Sequence, residues 1–383
     1  MDFELTSEQE LIRASAREFC DREIAPFARD WDRAEEMDRG IVPRLASVGY
    51  LGASLPEAYG GLGLDTVSYA LIGEELGRAD SSVRGIVSVS NGLVGKTVAR
   101  FGTDEQKQRW LPLLCAGEAL GCYALTEPGS GSDAAGLETR AERDGSGWRL
   151  TGSKLFITLG TWSAFALVFA RTGGPGPRGI TCFVVPTDSP GFEATPLKGK
   201  LGLRAQDTGE LHLDGVEVPD SARLGDEGSG FRVAMSALDN GRISLAAGCV
   251  GLAQGALDAC VAYTKERRQF GRPVASFQLV QEQLAGMAVE TEAARLLTWR
   301  AAALSDAGRP HTLESSYAKL YASEAAVRAA NAAVQVHGGY GYVDEYPVGK
   351  YLRDARVTTL YEGTSEVQKL IIGRSLTGES AFV

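Results

Sequence analysis

Apolar residues recur at helical spacing from Leu5 to about Gly117, starting in MDFELTSEQELIRASAREF, and the loop LPEAYGGLGLD interrupts them with glycines and a proline suited to turns. The first third therefore reads as helical. From about Gly121 to Leu224 the runs WRLTGSKLFIT, FALVFART, GITCFVVP and GELHLDGVEVP are short, β-branched or aromatic, and separated by Gly, Pro and Asp, which predicts strands. Beyond GDEGSGF the helical pattern returns in FRVAMSALDNGRISLAAGCVGLAQGALDACVAYTKERRQF and EAAVRAANAAVQVHGG, predicting a bundle of antiparallel neighbours. Helix, then β, then helix implies separate layers rather than alternating βαβ units. The expected fold class is multidomain α+β, with an N-terminal helical domain over 1–120, a middle β-barrel or sandwich domain over 121–227 and a C-terminal helix bundle over 228–383.

At 383 residues the chain exceeds what one hydrophobic core usually organises, which agrees with several domains. An apolar share of 44% and a charged share of 23% are ordinary for a globular chain, and no window approaches eighteen uninterrupted apolar residues, so no membrane span is expected. The N-terminus is acidic and amphipathic rather than a basic segment followed by an apolar one, which predicts cytoplasmic residence. A net charge of −10 without a basic, aromatic-interleaved cluster argues against a nucleic-acid partner. Cys20, Cys115, Cys122, Cys182, Cys249 and Cys260 form no CxxC pair and read as buried thiols; His212, His311 and His337 lack ligand spacing, so no metal site is expected.

Two nucleotide-binding patterns nearly match. Gly129-Ser-Gly131-Ser-Asp-Ala134 fits G-x-G-x-x-A but leads into a strand-like run, whereas a dinucleotide fingerprint opens a helix. Gly95-Lys96-Thr97 resembles the end of a phosphate loop, but Ser90 stands where the first glycine is required. The loop YALTEPGSGSD (Tyr123 to Asp133) gathers small residues, hydroxyls and backbone N–H groups that suit phosphates and flavin edges.

That loop, KLFIT, ERRQFGRPVASFQ, QVHGGYGYVDEYPVGKYLRDAR and YEGTSEVQ occur in the order seen in acyl-CoA dehydrogenases, and the chain resembles that family along essentially its whole length. The resemblance implies a C-terminal four-helix bundle, a homotetramer with FAD bound between subunits, an acyl-CoA or other acyl thioester as substrate and an electron-transfer flavoprotein as acceptor. It implies that Tyr123, Leu125, Thr126 and Ser132 line the flavin and its phosphates, and that Phe156 and Thr158 lie against its ring. Arg267, Phe270, Gln278, Gln335 and Gly339 match positions that reach a neighbouring subunit's FAD, with Thr364 and Glu366 completing the site.

Alone, Glu362 reads as an acidic residue favoured at a helix N-terminus. The resemblance makes it the base that removes an α-proton while the flavin accepts a hydride from the β-carbon. Burial there should raise its pKa from about 4.3 toward neutrality. Some members carry the base on the first bundle helix instead; the matching position here is Gly241, which disfavours that isovaleryl-type arrangement. Ser132, Asp239, Arg242 and Gly363 match substrate-contacting positions, although Asp239 and Arg242 equally suit a local ion pair. Departures from the family pattern are Phe156 for tryptophan, Leu159 for asparagine and Gln206 for serine. The last leaves open a carrier protein's phosphopantetheine in place of CoA.

Arg84 is a cation in the first turn of a helix capped near Asp80 or Ser81, so an anion should accompany it. The plain reading is an i,i+4 pair with Asp80. The sharper one is that SSVRGIVSVS resembles the segment in which glutaryl-CoA dehydrogenases hold a distal carboxylate, with Arg84 and Ser88 in the matching places; Gly77, however, stands where that subgroup has a glutamate. The expected function is dehydrogenation of a short or short branched acyl-CoA to the trans-2-enoyl thioester. Carrier-bound or dicarboxylyl substrates, an oxygen-using oxidase, and a non-enzymatic flavin-binding relative are the alternatives. Acyl length and pathway are not legible in the spacing.

Overall fold

The N-terminal helices begin with α1 (Ser7–Glu23), opened by a capping box in which the Thr6 side chain accepts from the Gln9 N–H and Gln9 accepts from the Thr6 N–H. After it come α2 (Ala28–Ala34), α3 (Ile41–Ser47), α4 (Thr66–Ala79), α5 (Ser81–Val87), α6 (Lys96–Phe101) and α7 (Asp104–Cys115). The computed structural model describes residues 4–382; residues 1–3, the start of the stretch read as the first amphipathic helix, lie outside it. Between α5 and α6 the chain does not leave the helix but widens into a π-helical segment, Ser88–Gly95, a distortion that often marks functional sites.

The strands are β1 (Gly121–Ala124), β2 (Arg140–Asp144), β3 (Gly147–Thr158), β4 (Phe165–Arg171), β5 (Ile180–Pro186), β6 (Phe192–Pro196), β7 (Thr208–Pro219) and β8 (Arg223–Leu224). They form one eight-stranded sheet in the order β6-β7-β3-β2-β4-β5-β8, with β1 parallel to β4. FALVFA in β4 and ITCFVV in β5 are buried at every position, which is why they read as continuous apolar runs, while β7 alternates buried and exposed residues and has one face outward. GGPGPRG is the loop of the β4–β5 hairpin.

The C-terminal helices are α8 (Gly230–Glu266), α9 (Gln278–Asp306), α10 (Thr312–His337), α11 (Val348–Val357) and α12 (Ser365–Thr377), with a small hairpin of β9 (Arg268–Gln269) and β10 (Arg272–Pro273) after α8. Among the described residues α8 is the one helix long and apolar enough to cross a bilayer, but 67% of its apolar window is buried in the protein, against α4, α9 and α10. Its backbone meets α4 directly: a Cβ on Gly251 would overlap the Glu74 carbonyl, and one on Gly77 the Gly248 carbonyl. Gly77, the place of the missing glutamate, is thus a helix-packing position here.

One buried ionic knot ties the parts together. Lys350 Nζ lies 2.8 Å from Asp80 and 2.6 Å from Asp354. Asp80 also caps α5 by accepting from the Ser82 and Val83 N–H groups, and Asp354 accepts from the Leu203 N–H at 2.6 Å in the loop before β7. All six cysteines are free and buried.

Candidate functional site

A cavity of about 130 Å³ lies where the π-helical segment, the ends of β1 and β3, and the turn before α12 converge. Of the residues singled out in the sequence, Glu362, Arg84, Ser88, Tyr123, Leu125, Thr126, Phe156 and Thr158 all line it. Apolar walls come from Val89, Leu93 and Leu238.

Glu362 does not begin α12; it sits in the preceding turn with φ 53°, a left-handed conformation costly for a residue with a side chain. Gly363 follows at φ 88°, and the carbonyls of both accept from Gln368 Nε2 at 3.2 Å, which holds the turn. Strained non-glycine residues of this kind cluster where function needs them. The Glu362 Oε2 atom is buried and makes no hydrogen bond among the described residues, and neither does the residue's own N–H. Burial raises the carboxyl pKa above the ordinary range, while Arg84, Lys319 and Arg242 draw it back. The site thus holds a poorly solvated carboxylate with one free oxygen, the makings of a proton acceptor.

Gly241 on α8 faces this oxygen. A Cβ there would stand 2.5 Å from Glu362 Oε2 and 2.9 Å from a Leu93 methyl. Gly241→Ala therefore has to displace the carboxylate, and its maximal rate should fall at least tenfold while flavin content is retained; unchanged turnover would mean that the turn yields freely.

Arg84 is 4% exposed and gives Nη2 to the Tyr361 hydroxyl at 2.8 Å. Its passage past α8 depends on Gly248, where a Cβ would overlap its Cδ. The pairing with Asp80 does not form, because that carboxylate points back to cap the helix and is held by Lys350. Arg84 makes no ion pair among the described residues and faces the cavity. Beyond Ser88 a hydroxyl chain continues inward: Ser244 Oγ donates to Ser88 Oγ at 3.0 Å, and the Tyr69 hydroxyl is 3.1 Å from Ser244 Oγ.

On the other side, Phe156 is held at φ 61° and is 62% exposed. Gln206 reaches from the loop before β7, donating Nε2 to Thr158 Oγ1 at 3.2 Å and leaving its Oε1 buried without a partner. The loop from Thr126 to Ser132 is anchored beneath by Lys154, whose Nζ lies 2.7 Å from Glu127 and donates to the Leu125 and Phe169 carbonyls. Glu127 in turn accepts from the Glu138 and Thr139 N–H groups. An exposed aromatic plane flanked by Thr126, Thr158 and a rigidly held glycine-rich loop fits a flavin, which needs a stacking surface and donors at its edge.

Other expected site residues lie outside this cavity. Asp239 and Arg242 form the local pair, at 2.8 Å on α8, with Asp239 also accepting from Thr312 Oγ1, and neither lines the cavity. Ser132 is exposed. Arg267, Phe270, Gln278, Gln335 and Gly339 are exposed around one end of the bundle, where Arg267 lies over the Tyr340 ring and Phe270, 93% exposed and at φ 52°, leads the β9–β10 turn. Thr364 caps α12 by accepting from the Val367 N–H, and Glu366 is exposed in its first turn. Lys154, Lys319 and Tyr361 were not singled out in the sequence. Lys154 carried a signal, since it shares the inward phase of Trp148 and Leu150 along β3.

Models of the acyl-CoA dehydrogenase N-terminal, middle and C-terminal domains match residues 6–118, 122–216 and 228–377. A short-chain specific acyl-CoA dehydrogenase of Clostridium acetobutylicum is 42% identical over 97% of this chain and 98% of its own. Butyryl-CoA dehydrogenase of Megasphaera elsdenii superposes with a TM-score of 0.96 at 40% identity, covering 98% of this chain and 100% of that one. Glutaryl-CoA dehydrogenase of Mycobacterium smegmatis gives 0.95 at 41% identity, covering 99% and 97%.

Proposed function

The chain belongs to the acyl-CoA dehydrogenase family and is an FAD-dependent acyl-CoA dehydrogenase of the short-chain type; we propose that Glu362 is its base and that it oxidises a short or short branched acyl-CoA to the trans-2-enoyl thioester. The observation that carries this reading is the buried, unpaired Glu362 oxygen facing a small cavity with both apolar and polar walls.

The likeness to a short-chain specific acyl-CoA dehydrogenase and to butyryl-CoA dehydrogenase supports a short acyl group. Glu362 takes the α-proton on its free oxygen. Its own N–H, also free, is a donor for the thioester carbonyl, and one such donor lowers a barrier of this kind by roughly 2.7–4 kcal/mol. FAD, when bound, accepts the hydride that leaves the β-carbon. Tyr123, Thr126, Phe156 and Thr158 hold the flavin side, and Val89, Leu93 and Leu238 exclude water from the acyl side. The exposed Phe270 and the surrounding Arg267, Gln278, Gln335 and Gly339 fit a surface completed by another subunit of a homotetramer, which shares its FAD site between chains. An electron-transfer flavoprotein is the acceptor.

A second reading rests on Arg84. A buried guanidinium facing the cavity with a neutral tyrosine as its hydrogen-bonded partner, next to Ser88, suits a carboxylate at the far end of the acyl chain. Anaerobic titration separates the two. Butyryl-CoA should bleach the oxidised flavin stoichiometrically; bleaching by glutaryl-CoA alone would transfer the assignment to dicarboxylyl thioesters, and bleaching solely by a pantetheinyl carrier protein would transfer it to carrier-bound ones.

A further inference from the structure

Lys319 occupies the core-facing side of α10, among the buried small residues Ser315, Ala318, Ala322 and Ser323, and is itself fully shielded from solvent. Its Nζ makes no hydrogen bond among the described residues. An ammonium ion is among the costliest groups to bury, and one left without a hydrogen bond has to be held by nearby charge.

The charged and titratable groups around it come from three helices and one turn. From α8 come Arg242, paired with Asp239, and Cys249, whose thiol burial pushes up to about 11 and so keeps neutral at physiological pH. From α10 itself comes Glu324, which accepts from Ser365 Oγ at 2.6 Å and so pins the start of α12 just over one turn beyond Lys319. From α12 comes Glu366, exposed to water. The remaining carboxylate is Glu362, whose Oε2 makes no hydrogen bond among the described residues and which Lys319 influences through space rather than as a contact ion pair.

We propose that Lys319 is a positioning residue for proton transfer at Glu362, a sealed positive charge behind the turn that keeps the carboxylate ionised until substrate arrives. The inference rests on Glu362 being the base and goes further by naming what makes it ready. Arg84 on α5 and Arg242 on α8 also face Glu362, but Arg242 is neutralised by Asp239, and Arg84 lines the cavity where substrate enters. Lys319 has neither commitment. Burial lowers its own pKa to about 8, with Cys249 and Glu362 raising it, so its charge is present below that pH. Loss of this cation raises the Glu362 pKa, and the acidic limb of the rate profile moves to higher pH.

The test uses the holoenzyme with Lys319→Met and Lys319→Arg, each checked for flavin content and melting temperature. The protonated-carboxyl infrared band of Glu362, assigned by its loss in Glu362→Gln, is titrated without turnover. The midpoint should rise by about one pH unit in Lys319→Met and stay near the wild-type value in Lys319→Arg. The acidic limb of kcat/KM should follow it. An unmoved midpoint in folded Lys319→Met overturns the proposal; if that variant does not fold, Lys319→Gln carries the same expectation. A midpoint that moves while the limb of kcat/KM stays fixed would instead overturn Glu362 as the base.

Discussion

Glu362→Gln is expected to give a folded, yellow protein whose flavin acyl-CoA no longer bleaches, with a reduction rate down by on the order of 10³-fold. Glutamine has nearly the same volume, so the walls of the cavity and the packing against Gly241 survive. What disappears is a lone pair able to take a proton from a carbon atom. Arg84, Lys319 and Arg242 then lose the negative charge they surround, which should weaken flavin binding little because the residues fitted to the ring lie across the cavity on β1 and β3. Stopped-flow reduction under anaerobic conditions reads the effect. Retention of more than a tenth of the wild-type rate would assign proton removal to another group.

The largest expected effect on stability is at Lys350. Lys350→Met leaves Asp80 and Asp354 buried together without their cation, and breaking such a pair typically costs about 3–5 kcal/mol. Burial already raises the Asp354 pKa, with Lys350 and the Leu203 N–H opposing it, so the variant should take up protons on folding and lose more stability as pH rises. Urea unfolding at two pH values measures this. The triple variant Lys350→Met, Asp80→Asn, Asp354→Asn should recover much of the loss, since asparagine still caps α5 and no charge is stranded. A Lys350→Met protein as stable as wild type would show the knot to be open to water.

The order of layers was legible because hydrophobic period changes where helices give way to strands, near Gly121, and changes back after Leu224. Of the site, one group of cavity-lining residues lay within sequence motifs that fold locally, YALT, KLFIT and LYEGTSE, each bringing consecutive residues to one place, whereas Gln206 and Leu238 come from elsewhere in the chain. Arg84 was expected to have an anion beside it, and Asp80 was the plain candidate; the structure gives it instead the neutral Tyr361 hydroxyl and no ion pair among the described residues. Helical spacing shows which side chains are near each other, not that a cap and a lysine from α11 already claim the carboxylate. Lys319 was invisible for a related reason. A lone lysine among alanines and serines reads as solvent-facing unless the neighbouring helix on that side is known. Gln206 places its amide between Thr158 and Gly85, a contact made between segments far apart in sequence that spacing does not reveal.

The steric opposition of Gly241 and Glu362 has an evolutionary consequence. With Glu362 as the proposed base, a lineage moving that base from this turn to α8 would need two changes, acquiring a carboxylate at 241 and losing the one at 362. Made singly, the first crowds two acids into space for one, and the second leaves none. Either intermediate is a poor enzyme, so the two designs are separated by a fitness valley, and descendants of either should keep their ancestral choice even while acyl specificity drifts around it.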